Sequence, residues 1–322
     1  MTTSTETAKP LLGISACLLG QSVRFNAGHK HSPVCTQLLG ELFDWQPVCP
    51  EVRAGMSVPR APVRLLATDR GLRMVGSRDA TFDVTEAMQQ VADHYSAESL
   101  AELSGFVFMQ KSPSCGLFRV PVYNAHGQSA DHGAGLFART VQSANPLLPC
   151  EEAGRLHDPL IREHFISRVL AYQAWQQLRG SRPQLRDVLA FHARYKYQLM
   201  AHSPSGQAEL GRLLAGVRRD TLDSALDQYA ELFFRVLAIL PARRGHVNAL
   251  MHIRGYLKRR GLLPAEQQRL DAVMESYRQG LIPRMVPMNL LRHHFDRYPD
   301  AYIAGQVYLN PPVAHPLLMH GA

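Results

Sequence analysis

The chain has 322 residues, of which 46% are hydrophobic and 19% are charged, and its formal net charge is +8. This composition is typical of a folded globular protein and excludes a disordered chain, and the length suffices for two ordinary domains. No apolar run approaches a membrane span and the first residues lack a signal-peptide pattern, so we expect a cytoplasmic protein without a membrane partner. The positive charge leaves room for an anionic partner such as nucleic acid.

Short apolar strands alternate with helices in the first half of the chain. Strands are predicted at residues 11–15, 45–48 and 106–110, a strand or hairpin at 72–84, and a strand or linker at 145–150; helices are predicted at 34–43, at 85–103 and from 133. Such alternation favours a parallel, doubly wound sheet. We therefore expect an α/β, Rossmann-like domain over residues 10–153, after a disordered N-terminus at residues 1–9.

Long helical patterns dominate the second half of the chain. Helices are predicted from residue 158, at 185–200, at 221–240, at 247–260 and at 264–278, and residues 283–316 are proline-rich and loop-like. The apolar positions in these segments recur at helical spacing. The sequence thus predicts an all-α domain over residues 154–322, and it assigns no role to that domain.

Three cysteines share one position relative to the predicted strands. Cys17, Cys49 and Cys115 each stand just after a strand, so a parallel sheet would bring them to the edge where α/β folds bind ligands. Three thiolates suit a soft metal centre, and an iron–sulfur cluster with only three cysteines would leave one iron open to a substrate. The alternative is three buried core cysteines. Cys35 and Cys150 lack this context and are expected to be passive.

Polar side chains suited to proton transfer or anion binding lie near these cysteines: Arg24, Asn26, Glu51, Lys111, Ser112 and Ser114. A carboxylate beside a metal centre, such as Glu51, suits the role of general base. The alternative is that Glu51 is a surface carboxylate or pairs with Arg53 or Arg60. Arg24 and Lys111 are candidates for binding an anion or stabilising developing charge.

Three motifs resemble the thiouracil desulfidase family: SACLLG at residues 15–20, CPEV at 49–52 and KSPSCG at 111–116. The resemblance covers roughly residues 10–152. The second half resembles a helical domain of obscure role that is often fused to that family, through HARYKYQLMAH, HVNALMHIRGYLK and YRQGLIPRMVPMNLLRHH.

The resemblance implies a 4Fe–4S cluster held by Cys17, Cys49 and Cys115, whose open iron takes the sulfur of a thiolated pyrimidine such as 2-thiouracil. It implies a hydrolase that releases uracil and hydrogen sulfide without net redox change. By motif position, Glu51 and Ser112 would be the acid/base residues. Further substrate or supporting contacts would be Asn26 and Ser114, and Arg24 is a candidate for substrate binding.

Two other functions stay open at this point. One is desulfuration of thiolated nucleosides in tRNA, with an RNA-binding face on the basic helices near residues 243–244, 254 and 258–260. The other is a non-enzymatic iron–sulfur sensor. A second metal site in the helical domain, at His192, His202, His246 or His252, is disfavoured because the spacing fits packing or hydrogen-bonding histidines better. The sequence does not predict the preferred base or the oligomeric state.

Overall fold

The structure, a computed structural model, describes residues 8–218, 221–258 and 260–311. The chain forms two compact units that divide between Asp158 and Pro159, a few residues after the boundary predicted from sequence. Of the stretch predicted to be disordered, residues 1–7 lie outside the described part. Within the described residues, no helix combines the length and apolar character needed to cross a bilayer.

Among its described residues the first unit has eight strands, which in chain order are β1 (Leu11–Ser15), β2 (Asp44–Val48), β3 (Val63–Thr68), β4 (Gly71–Gly76), β5 (Gly105–Phe108), β6 (Val120–Tyr123), β7 (Ser129–Gly133) and β8 (Cys150–Glu152). Four of them form a wholly parallel sheet in the order β2-β1-β5-β8. Its two central strands are buried almost throughout, which explains their continuous apolar sequences. The predicted parallel α/β fold is confirmed.

Close packing fixes the register of the two central strands. A Cβ atom at Gly13 would lie 2.3 Å from the Phe106 ring, so only glycine fits at that position of β1. Phe106 and Phe108 stack on one face of β5 with ring centroids 4.0 Å apart. These contacts fix the ends of β1 and β5, from which two of the candidate cysteines extend.

A second, mixed sheet in the same unit has the order β4-β3-β6-β7. β3 pairs with β4 and β6 with β7 in antiparallel fashion, while β3 and β6 run parallel. The sequence pattern suggested a strand or hairpin at 72–84, but the hairpin begins at residue 63. Residues 59–62 contain two prolines, which made the whole stretch look like an extended connection.

The α-helices of the first unit, over residues 8–158, are α1 (Pro50–Arg53), α2 (Thr85–Glu98) and α3 (Leu136–Ala144). The predicted helix at 34–43 is wrong in type, because the chain there makes a π-helical turn at Val34–Leu38 and a 3-10 turn at Leu39–Glu41. Gly40 lies in this segment, and glycine weakens a regular helix. α2 ends at Glu98, five residues before its predicted end, and is followed by a 3-10 turn at Leu100–Glu102.

The second unit is helical throughout its described residues. Its helices are α4 (Pro159–Gly180), α5 (Leu185–His202), α6 (Pro204–Ala215), α7 (Leu222–Ala238), α8 (Arg243–Lys258), α9 (Pro264–Gln279), α10 (Met285–Arg297) and α11 (Ala301–Ala304). The loop-like prediction for 283–316 is wrong over α10 and α11, and residues 312–316 lie outside the described part. Pro287 falls in the first turn of α10, where a missing N–H removes no helical hydrogen bond. The predicted all-α character of this half is confirmed.

Candidate functional site

The three cysteines that follow strands line a single cleft of about 400 Å³. Cys17 lies in a 3-10 turn directly after β1, Cys49 follows β2 and precedes α1, and Cys115 lies in the loop after β5. Because β2, β1 and β5 are parallel neighbours, their carboxyl ends meet at one edge of the sheet. The structure thus brings together the three thiols that the sequence singled out.

Burial and mutual repulsion disfavour ionisation of these thiols in the isolated protein. Burial, followed by the neighbouring Cys49, raises the pKa of Cys17 to about 11. Burial also raises the pKa of Cys49 and raises that of Cys115 strongly, with Cys49, Glu51 and Cys17 adding to the effect on Cys115. Ionising all three thiols together would therefore need a positively charged centre among them, as metal binding supplies.

The three thiols form a soft donor set whose chemistry fits an iron–sulfur cluster. Across the part of the chain that the structure describes, no group of three or more His, Cys, Asp or Glu side chains is arranged to hold one metal ion. Cys17, Cys49 and Cys115 stay predicted cluster ligands.

A hydrogen-bonded loop at residues 111–118 carries Cys115. Ser112 Oγ accepts hydrogen bonds from the backbone N–H of Ser114 at 3.3 Å and of Cys115 at 3.1 Å. Lys111 adopts a left-handed φ of 59° at the start of the loop. Gly116 has no room for a side chain, since a Cβ atom would lie 2.3 Å from Val120 Cγ2. The loop therefore holds Cys115 in a defined position.

Glu152 anchors the far side of the same loop. Its Oε1 accepts hydrogen bonds from the backbone N–H of Leu117 at 2.9 Å and of Phe118 at 3.0 Å. The carboxylate is buried, and it is placed by β8, whose pairing puts Glu152 opposite Phe108 at the end of β5. Sequence reasoning missed this residue, because a glutamate beside Pro149 and Cys150 gives no local sign of its partners.

Glu51 forms the polar wall of the cleft together with Ser114 and Arg60. Ser114 Oγ donates to Glu51 Oε1 at 2.5 Å, and Arg60 binds Glu51 Oε2 through Nε at 2.8 Å and Nη2 at 2.6 Å. Arg60 also donates to the Val23 carbonyl at 2.9 Å. The guanidinium and the carboxylate thus form a charge-assisted, hydrogen-bonded ion pair. One alternative for Glu51, a pair with Arg60, is confirmed, and the pair lies in the cleft. The role of Glu51 as a general base stays a prediction.

The two serines complete a directional hydrogen-bond chain. Ser112 Oγ and Ser114 Oγ are 3.0 Å apart. Because the Ser114 hydroxyl proton is given to Glu51, Ser112 is the donor in this pair. Protons can move along the path Ser112–Ser114–Glu51, and the chain can reverse when Glu51 becomes protonated.

Of two candidate residues in the loop between β1 and β2, Arg24 lines the cleft and Asn26 does not. Arg24 lines the cleft, together with Lys30 and Lys111. Asn26 is exposed and is not among the residues that line the cleft; its Oδ1 accepts from the Gly28 N–H at 3.2 Å, which closes a local turn. The role of Asn26 as a substrate contact stays a prediction.

Ser15 is a further cleft residue that sequence reasoning missed. It is the last residue of β1 and is buried, and its Oγ accepts from the Met109 N–H at 3.0 Å. A hydrogen bond from Ser15 partly offsets the rise in the pKa of Cys115 that burial causes. The serine that opens the SACLLG motif thus links the ends of β1 and β5 beneath the thiols.

Comparisons with known proteins agree on both halves of the chain. Residues 12–153 match the 2-thiouracil desulfurase family, and residues 196–312 match a family described as a protein of unknown function, DUF1722. The uncharacterized protein YbgA of Escherichia coli K12 is 38% identical over 125 residues, which cover 38% of this chain and 72% of YbgA. Among solved structures, the 4Fe–4S-dependent thiouracil desulfidase TudS is 25% identical and covers 46% of this chain and 94% of its own, with a TM-score of 0.37.

Proposed function

This chain belongs to the family that joins a 2-thiouracil desulfurase domain to a DUF1722 domain, and on that premise we propose that it is a desulfidase acting on a thiolated pyrimidine. The proposed reaction consumes a thiocarbonyl and water and yields a carbonyl and hydrogen sulfide, so no oxidant or reductant is needed. The observation that carries the proposal is the cleft in which Cys17, Cys49 and Cys115 face the Glu51 carboxylate.

The three thiols are the proposed ligands of a 4Fe–4S cluster. When bound there, the cluster would supply an iron with an open coordination position, a soft Lewis acid suited to a thiocarbonyl sulfur. The chain's own contribution is to hold three sulfurs at one sheet edge and to keep water contact with them low. Cys17 and Cys115 are less than one tenth exposed, which supports such a role.

Glu51 is the proposed general base. Its Oε2 accepts two hydrogen bonds from Arg60, while Oε1 accepts one from Ser114 and keeps a second lone pair. It can take a proton from the water that attacks the thiocarbonyl carbon. Ser114 and Ser112 would then return that proton toward the leaving sulfur along their hydrogen-bond chain.

The decisive test compares Glu51→Gln with wild type after anaerobic purification. We expect the variant to keep its iron and sulfide content, since Glu51 is not a proposed ligand, and to release sulfide from 2-thiouracil about 10²- to 10⁴-fold more slowly. Glu102→Gln makes the same change on an exposed carboxylate outside the cleft and should behave as wild type. Undiminished turnover in Glu51→Gln would refute the general-base assignment.

Cysteine variants test the cluster itself. Cys17→Ala, Cys49→Ala and Cys115→Ala should each lose iron and activity, while Cys35→Ala should keep both because Cys35 does not line the cleft. A wild-type protein that binds iron but releases no sulfide from any thiolated base would favour the sensor function instead. A protein without iron under strict anaerobiosis would refute the cluster.

A second candidate substrate is a thiolated nucleoside within tRNA. It is favoured by the cationic lining of the cleft, where Arg24, Lys30 and Lys111 join the Glu51–Arg60 pair. Phosphate contacts make binding strongly dependent on salt. Sulfide release from thiolated tRNA that exceeds release from the free base and falls steeply with salt would select this substrate. Equal rates for both at any salt concentration would select the free base.

A further inference from the structure

The helical unit contains its own cavity of about 100 Å³ with a mixed lining. Its apolar wall includes Leu170, Tyr195, Met288 and Val307. Its polar lining includes Glu163, His164, His202, His246, Arg284 and Tyr308. A small enclosed space with convergent polar groups and apolar walls is the usual form of a small-molecule site.

Two histidines present hydrogen-bond acceptors at this cavity. His164 Nε2 lies 2.7 Å from the Leu237 carbonyl and His202 Nδ1 lies 2.6 Å from the Ile239 carbonyl. Because a carbonyl only accepts, these two nitrogens carry the protons, and His164 Nδ1 and His202 Nε2 keep lone pairs. The rings lie 5.5 Å apart between centroids, and no described residue hydrogen-bonds to either remaining nitrogen.

The two imidazoles are neutral near pH 7. Burial lowers the pKa of His164 to about 4. Burial, followed by the neighbouring His164, lowers the pKa of His202 to about 3. Both rings are therefore acceptors at these nitrogens and not cationic donors.

A second group of residues presents donors. Arg284 is buried, forms an ion pair with Glu163 through Nη2, and donates from Nη1 to His246 Nε2 at 2.9 Å. His246 Nδ1 then carries a proton and donates to Tyr308 Oη at 2.9 Å, so the Tyr308 hydroxyl proton is available for a further acceptor. Arg284 Nε has no acceptor in the described structure, which is costly for a buried N–H group.

The charged and polar groups around the cavity favour a neutral ligand. Arg284 disfavours a cation, while its own charge is already balanced by Glu163. The lone pairs of His164 and His202 would repel an anion. A neutral ligand with N–H groups for the imidazoles and a carbonyl for a donor satisfies the polar groups that the protein leaves open.

We propose that this cavity binds a small neutral heterocycle with ring N–H groups next to a carbonyl, which is the hydrogen-bonding edge of a pyrimidine base. The volume suits one six-membered ring flanked by Leu170 and Met288. The inference rests on the helical unit alone and does not depend on the desulfidase cleft.

The test is uracil binding to the full-length chain, measured by titration calorimetry. We expect a binding event that survives Cys115→Ala, which alters the cleft, and that weakens about tenfold or more in His202→Phe. His252→Phe, an exposed change on α8, should leave it intact. 1,3-Dimethyluracil lacks the N–H groups and should not bind there.

A second variant keeps the test valid if His202→Phe does not fold. Leu240 lines the cavity and is about half exposed, so it lies where the cavity meets solvent, and Leu240→Trp should block entry without touching the hydrogen bonds. Uracil binding that persists in both His202→Phe and Leu240→Trp would overturn the inference. So would equal binding of 1,3-dimethyluracil, or no binding event in the wild type at millimolar uracil.

Discussion

Lowering the pH from 7.5 to 5.5 should destabilise the helical unit, because His164, His202 and His246 are largely desolvated and held in the neutral form. Burial also lowers the pKa of His192 and of His294, so these two histidines should add to the effect. Burial lowers the pKa of His164 to about 4, of His202 to about 3 and of His246 to about 2, the last with a further contribution from Arg284. Their ordinary value is 6.5. Between these values the unfolded chain binds protons that the folded chain does not, so the free energy of unfolding falls as the pH falls.

The expected loss can be worked out for each histidine. At pH 5.5, one unit below the ordinary value, each neutral imidazole lowers the free energy of unfolding by about 1.4 kcal/mol relative to pH 7.5. Three such groups together give about 4 kcal/mol, a large part of the stability of a typical domain. The contribution of His164 should level off near pH 4, where it begins to bind its proton in the folded state, while those of His202 and His246 should continue to grow below that pH.

The chain offers a clean reporter for this measurement. Its two tryptophans are Trp45, in the first unit, and Trp175, in α4, so a Trp45→Phe variant reports on the helical unit alone. Trp175 is buried against Phe191 and Tyr229, so its fluorescence should change on unfolding. Urea unfolding at pH 7.5 and 5.5 gives the difference directly, and calorimetry in two buffers should show an uptake of about three protons or more at pH 5.5.

An unchanged unfolding midpoint between the two pH values would refute the assignment of neutral, buried histidines. His252 is exposed, so His252→Asn should leave the pH dependence as in the parent variant. His202→Phe should reduce the pH dependence by at most about one third, since it removes one of the three most strongly shifted groups. A pH effect that survives unchanged in His202→Phe would place its origin elsewhere.

Three further predictions concern the cleft. Arg60→Met should lower stability by about 3 kcal/mol because it leaves the Glu51 carboxylate unpaired, and adding Glu51→Gln should restore part of the loss in urea unfolding. Glu152→Ala should leave the backbone amides of Leu117 and Phe118 without their acceptor, so the variant should lose iron faster in air, as followed by visible absorbance. Glu152→Gln keeps an acceptor oxygen and should lose iron more slowly than Glu152→Ala. Equal rates in both variants would contradict the anchoring role. Gly116→Ala should reduce iron content by displacing the loop against Val120, and full iron content would contradict this packing argument.

Local sequence patterns were sufficient to find the three thiols. Each follows a short apolar strand and precedes small or turn-forming residues, and the parallel order of the strands then fixes a common edge. The partners of those residues could not be predicted in the same way. Arg60 reaches Glu51 across nine residues of irregular chain, and Glu152 reaches the Cys115 loop from another strand, so both contacts exist only in the folded chain.

Two of the errors in secondary structure involve proline and glycine. Pro283 and Pro287 made α10 look like a loop, although the first turn of a helix accepts proline. Gly40 lies in a segment whose apolar spacing favoured one regular helix, and the chain there forms two shorter turns. Periodicity predicts where a segment is buried more reliably than it predicts the type of its helical turns.

The wide spacing of the three thiols along the chain has a consequence for biosynthesis. About 100 residues separate Cys17 from Cys115, and a ribosome needs roughly 5 to 20 s to make a stretch of that length. During that time the nascent chain offers one or two thiols but never the complete set, and β8 follows later still. The proposed cluster would therefore be inserted after the first unit has been synthesised. A protein that delivers the cluster would bind a folded cleft and not a growing chain.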